Sequence, residues 1–344
     1  MDRLKTAAAR ALRGVSSHPK YLVGLSLCRI LLGVSTTLYY VSNIPYRAFL
    51  WGPDSYSGFA AFKALTGDQH IFSLYALSDG RAWFDLVYFA GLLVSLAWTV
   101  FGSRSLTVVH AVFMTSIYHR NYTMWEGGDA LTGIVLILLM GATVNAHFSP
   151  LAKGVRARLE RRAGEPHLRT SLHNTAAVLI VFQACVVYVV SALWKVAAPQ
   201  WQEGTALYYI SHVWQYTYSS AFPQLMDSLV LTTLVTYFAI VVQLLVLPAA
   251  LTSRRWFREA VVLGIAGMHI GIMAGMGLMT FGFAMMAIDA VLVRDADYQA
   301  LFRRVRLLRE RVAARRAERT TASGEPASGQ PGSGEPAAEE LSAA

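Results

Sequence analysis

The sequence predicts an all-α fold: a polytopic membrane helix bundle of about eight spans, both termini cytoplasmic. Three observations carry this. The 344-residue chain is 55% hydrophobic and only 15% charged, with a mean hydropathy of +0.41, whereas a soluble domain is nearer a quarter charged. Apolar runs close to the ~20 residues that cross a bilayer recur along it. Its basic residues, which set a formal net charge of +9, fall in short clusters between those runs. That pattern orients a chain in a membrane, and no stacking motif or basic groove points to nucleic acid.

Residues 1–20 form a basic cytoplasmic segment with Arg3, Lys5, Arg10, Arg13 and Lys20 and no cleavable signal. The expected spans are 21–41, 83–101, 105–118, 130–148, 174–195, 228–251, 259–277 and 278–293, the third and last being short. With the first tail inside, inner segments hold 24 Lys and Arg and outer loops hold 4, as the positive-inside rule requires. A single crossing over 259–293 would put a nine-arginine tail outside, so that stretch is expected to be a helical hairpin. The membrane domain is therefore 21–293. Residues 294–319 contain "LFRRVRLLRERVAARR", apolar at helical spacing with arginine between, a basic juxtamembrane helix for the inner leaflet or a simple stop-transfer extension. Residues 320–344 are rich in Pro, Gly, Ser and Glu and are expected to be disordered. Cys28 and Cys185 lie in apolar runs and read as small buried hydrophobes without a disulfide. No Cys/His spacing of the zinc type is present.

The informative polar residues fall in the loops assigned to the outer side. In "SALWKVAAPQWQEGTALYYISHVW", Ser191 to Trp214, an apolar run ends in Trp194 and Lys195 and is followed by Trp201 and Gly204. A lysine at a span end commonly snorkels to the headgroups. This one stands at the end where the charge rule does not favour it, and a lysine withdrawn from water can act as a base. In "WEGGDALTG", Gly127 and Gly128 allow close backbone approach and Asp129 stands where a helix N-cap belongs, or at the mouth of a cavity. Arg29 lies within the first span and needs a partner, with Asp289 and Glu259 as candidates. His110 and His269 are mid-span, where packing and chemistry are both open readings; His119 and Arg120 flank the glycine turn.

An arginine in the first span, "RN…GGD" before a later span, lysine followed by "W..GTALYY", and a late histidine before a Gly-rich apolar run together resemble the HTTM proteins, membrane relatives of vitamin K-dependent gamma-carboxylase. The likeness covers roughly residues 20–293, and within it "WQEGTALYY" is most similar to the family that matures sporulation-delaying antimicrobial peptides. The resemblance implies Lys195 as the base, supported by His269 and Asp129, with a reduced quinone as the cofactor it allows and Arg29, Asp289, Gly127, Gly128, Trp201 and Gly204 in supporting places. The lysine-to-tryptophan gap is one residue longer than in the carboxylase, and apolar Ile270 to Met273 follow His269. The shared element implied is thus the membrane core, not glutamate carboxylation. The expected function is maturation of a secreted peptide at the outer face of the cell membrane. Its partners would be the bilayer, the peptide and a small accessory protein. The alternative is a non-enzymatic toxin-export partner, immunity protein or transporter.

Overall fold

The computed structural model describes residues 16–216 and 218–322, with side chains to Arg315. Most of the expected basic segment 1–20 and disordered tail 320–344 therefore lies outside the described residues. Among the described residues the chain is helical, with no strand. It divides after Tyr298 into two compact units.

Helices occur at all eight expected places. They are α1 (Leu22–Ser42), α2 (Arg81–Phe101), α3 (Arg104–Arg120), α4 (Gly127–Leu139), α5 (Leu168–Ala197), α6 (Leu229–Leu251), α7 (Arg255–Met276) and α8 (Met279–Leu292). Five of them, α1, α2, α5, α6 and α7, are long and apolar enough to cross a membrane. The helix α4 ends at Leu139, short of the expected 148, and residues 140–149 run on as turns and irregular chain. The expected hairpin at 259–293 is present as α7 and α8, joined through Gly277 in the left-handed conformation.

Helix α8 is the hub. It is only 14 residues long, yet nine of them are buried, because it packs against α1, α4, α5 and α7. A helix surrounded on so many sides must be apolar nearly all round, and its "FAMMAIDAVL" is, apart from Asp289.

Polar groups at the two ends lock this arrangement. At the end where α1 and α5 begin, both carboxylate oxygens of Asp295 accept backbone N–H groups of α1, Leu22 at 3.0 Å and Val23 at 2.9 Å. These are orphan donors of a helix start, so the chain leaving α8 caps the helix on which α8 rests. Beside them His173 accepts the Thr143 N–H at 2.9 Å and reaches the Lys20 carbonyl at 2.7 Å. Both ring nitrogens are used, so Nε2 carries the proton that Lys20 accepts. In the irregular stretch after α4, partial burial, and then the charge of Arg156, push the titration of His147 below that of a free imidazole, which keeps it neutral near pH 7.

At the opposite end, Arg120 is buried and donates to the Gly52 carbonyl and to the hydroxyls of Ser55 at 3.0 Å and Ser57 at 3.1 Å. Asn121 donates to the Leu50 carbonyl and the Tyr56 hydroxyl, each at 2.8 Å. The "RN" pair thus holds the long loop between α1 and α2 by hydrogen bonds.

The second unit, from Gln299, is over its described residues the continuation of a helix, α9 (Asp295–Ala322). Leu301, Val305, Leu308 and Val312 are exposed at i, i+4, i+7 and i+11, one face of a helix.

Arg258 and Asp297 form a buried ion pair in the first unit, with Arg255 joining it at 3.7 Å. Leaving one buried charge without its partner costs about 3–5 kcal/mol, whereas replacing both by apolar residues is near neutral. Asp297→Ala is therefore expected to lower the unfolding free energy in detergent by about that amount, and Arg258→Met with Asp297→Leu to recover most of it. Thermal or denaturant unfolding of the purified protein measures both.

Candidate functional site

The site is built mainly on α5. Tyr188, Ser191 and Lys195 fall at i, i+3 and i+7, so they share one helix face. That face looks into a cavity of about 890 Å³ between α4, α5, α6, α7 and α8. Leu, Ile, Val, Met and Phe side chains dominate its wall, and Lys195 is the one charged residue in the lining.

Lys195 is held from two sides. Its ammonium donates to the Ser191 hydroxyl at 2.6 Å and lies 5.1 Å from the Trp201 ring centroid, a contact that the negative face of an indole favours. Among the described residues Lys195 makes no ion pair with a carboxylate. Its neighbour Trp194 points away and is 73% exposed.

Deeper in, Tyr188 ties three helices. Its hydroxyl lies 2.9 Å from His269 Nε2 on α7 and 2.8 Å from Asp289 Oδ1 on α8. All three side chains are at most 2% exposed. A phenol has one proton to give. If Tyr188 donates to Asp289, it accepts from a protonated His269 Nε2. If Asp289 is protonated and donates to Tyr188, Tyr188 donates to His269. Switching between the two moves one proton from an imidazolium at His269 to an ionised Asp289 and leaves both groups neutral, with no net change of atoms or charge. Among the described residues, His269 Nδ1 and Asp289 Oδ2 have no hydrogen-bond partner. His269 and Tyr188 line the cavity, while Asp289 stands behind them.

Of the residues singled out from sequence, the structure gathers Lys195, His269, Trp201 and Gly127 around this one cavity, with Asp289 linked through Tyr188. Asp129 is near but does not line it. The helix α4 starts earlier than expected, so Glu126 is the N-cap and Asp129 stands three residues inside, accepting the Glu126 N–H at 3.2 Å. Gly128 is needed for packing: a Cβ there would meet the Phe281 Cα at 2.9 Å, whereas Gly127 has ordinary clearance. Gly204 holds a left-handed turn, φ 74°, between the short helices Pro199–Gln202 and Ala206–Ser211.

Arg29 lies elsewhere, and neither expected partner holds it. It donates to the Phe148 carbonyl at 2.7 Å and to the last carbonyls of α2, Thr99 and Trp98. Glu259 pairs with Arg255 instead, and Asp289 with Tyr188. Both terminal nitrogens of its guanidinium are thus held by carbonyls without a carboxylate, while Nε has no partner among the described residues; the Trp98 and Thr99 carbonyls are orphan acceptors of a helix end. His110 is likewise a packing residue, stacked on Trp98 at 4.5 Å and bonded to Thr36 at 3.3 Å. His119 returns to the Thr115 carbonyl on its own helix at 2.8 Å.

Tyr188 and Ser191 were not singled out from sequence. The 188–191–195 spacing was a signal for them, since the residues on the lysine's own helix face are its nearest polar neighbours. No protein-family model matches the chain, and comparison with curated proteins and with solved structures returns no match. Among the described residues no group of three or more His, Cys, Asp or Glu is placed to hold a metal ion, and Cys28 and Cys185 are buried and free.

Tyr188→Phe removes the hydroxyl that joins His269 to Asp289. Leaving buried polar groups unsatisfied costs about 1–3 kcal/mol. The expected result is a folded protein whose thermal midpoint in detergent falls accordingly, while removing the Tyr188 ring altogether, as in Tyr188→Ala, costs more by opening a cavity.

Proposed function

We propose that this chain is a membrane enzyme that withdraws a proton from an apolar, membrane-borne substrate during maturation of a secreted peptide, with Lys195 as the base. The observation that carries this reading is the lone lysine in an otherwise nearly apolar 890 Å³ cavity, beside a histidine and a tyrosine. Cavities that take small molecules are of this kind and size, with few polar groups that fix orientation.

Each residue then has a task. The Lys195 amine, when neutral, takes the proton and becomes an ammonium, and the substrate is left with the corresponding negative charge. Ser191 and Trp201 hold the amine on both sides and are placed to stabilise the ammonium once it forms. His269 presents to the same cavity, and its link through Tyr188 to Asp289 offers a place to hold a proton away from the substrate. The apolar walls exclude water, which strengthens each of these interactions.

The reduced quinone implied by the likeness to HTTM proteins fits the residues present. Trp201, Phe222 and Phe281 offer aromatic surface for a ring, the aliphatic walls suit an isoprenoid tail, and Lys195 and His269 are placed for ring oxygens. When bound, such a molecule supplies an ionisable hydroxyl and reducing equivalents. The order of motifs in the sequence supports peptide maturation and the outer face of the cell membrane as the setting.

The test is mass spectrometry of the peptides secreted by cells carrying the wild type or Lys195→Ala at equal membrane level. General-base catalysis contributes roughly 10²–10⁴-fold, so the variant is expected to secrete essentially only the unprocessed mass, with His269→Gln giving a partial loss. Identical peptides from wild type and Lys195→Ala would overturn the reading and leave an export, immunity or transport role.

A further inference from the structure

A second pocket, of about 540 Å³, lies at the end of the bundle where α2 stops and α5 starts. Its character is opposite to that of the lysine cavity. Arg104, Arg158, Arg162 and Arg169 all line it, and no carboxylate does. Four elements bring them together: the turn into α3, the irregular stretch 142–145, the short helix Ala152–Glu160 with the turn after it, and the first turn of α5.

These charges are not consumed within the protein. Arg104 donates to the Gly141 carbonyl at 3.0 Å. Among the described residues, Arg158, Arg162 and Arg169 take part in no ion pair. Glu160 and Glu165 belong to the same stretch of chain but stand outside the lining. The two histidines there are occupied on the protein side: His173 as described above, and His167 accepting the Arg169 N–H at 3.0 Å as the cap of α5. Four like charges around one concavity repel one another, so the arrangement favours an anion that bridges them.

The surroundings say which kind of anion. The pocket sits at the ends of apolar membrane-length helices, the depth of lipid headgroups. Leu151 in its lining, with Leu168 and Leu172 on the adjoining turns of α5, is 44–72% exposed, an apolar rim suited to acyl chains. A soluble anion has no use for that rim.

We propose that this pocket binds the phosphate headgroup of an anionic membrane lipid. Basic pockets between helices at a membrane surface take such headgroups, and arginine matches phosphate oxygens in bidentate fashion. The lipid would bridge the α2–α3 turn, helix 152–160 and the start of α5, segments otherwise joined by few hydrogen bonds.

The experiment uses the full chain, purified in neutral detergent and reconstituted into nanodiscs of phosphatidylcholine with a trace of labelled phosphatidylglycerol or cardiolipin. Retained lipid is counted by native mass spectrometry. Each arginine near a lipid surface contributes about 1 kcal/mol, so Arg158→Gln with Arg162→Gln and Arg169→Gln is expected to weaken anionic-lipid retention roughly 100-fold. Arg303→Gln with Arg304→Gln and Arg309→Gln, which removes equal charge from the juxtamembrane helix α9, should weaken it far less. Equal loss in both triple variants would reduce the effect to general surface charge and overturn the pocket. A second measurement needs no variant: millimolar inorganic phosphate should fail to displace the lipid from wild type. Saturable phosphate binding without lipid retention would overturn the lipid assignment in favour of a soluble anion.

Discussion

A carboxylate in the middle of an apolar bundle must have a partner, and the rest of the site follows from how Asp289 finds one. Its helix, α8, is enclosed by four others, so no water route offers an easy solution. The Tyr188 hydroxyl supplies the partner and uses its second bonding direction on His269. One phenol therefore registers α5, α7 and α8 against one another. With that register set, the face of α5 one and two turns further on, carrying Ser191 and Lys195, is turned into the space that α6 and α7 leave open.

The two ends of the bundle solve different electrostatic problems. At one end a single lysine stands in an apolar hollow, supported by a hydroxyl and an indole and not by a carboxylate. At the other, many arginines gather, some neutralised by Asp297 or by helix-end carbonyls and some left facing a concavity. The first arrangement suits a group that changes protonation during a reaction. The second suits a permanent anion. Arg29 belongs to the structural side of this division, since three backbone carbonyls accept its hydrogen bonds and α2 gains a cap.

Much of this was legible in the sequence. Apolar length and basic clusters located every major helix, and the placing of Lys195 at a helix end followed by Trp201 pointed to the cavity. What escaped was the exact start of α4, because Glu126 and Asp129 can both serve as caps and the residue three positions earlier won. The partner of Arg29 escaped too: sequence reveals acidic candidates but not backbone carbonyls, which every residue carries. Tyr188 was hidden for a similar reason, since a tyrosine in an apolar run reads as packing until its hydroxyl is seen to meet two ionisable groups. The basic pocket was visible only as a cluster of charges, because convergence on a concave surface depends on the fold of residues 140–173.

The most direct test of the cavity as a ligand site is binding of a decyl-tailed naphthoquinone to the purified protein, measured by equilibrium dialysis and by the shift in thermal midpoint. Gly271 lines the cavity, and a Cβ added there meets open space, so Gly271→Leu narrows the hollow from a position where the new side chain has room to start. Saturable binding by wild type that is weakened in Gly271→Leu, with the unliganded midpoint preserved, is the expected result. Equal binding by both proteins, or none by either, would contradict a substrate or cofactor site beside Lys195.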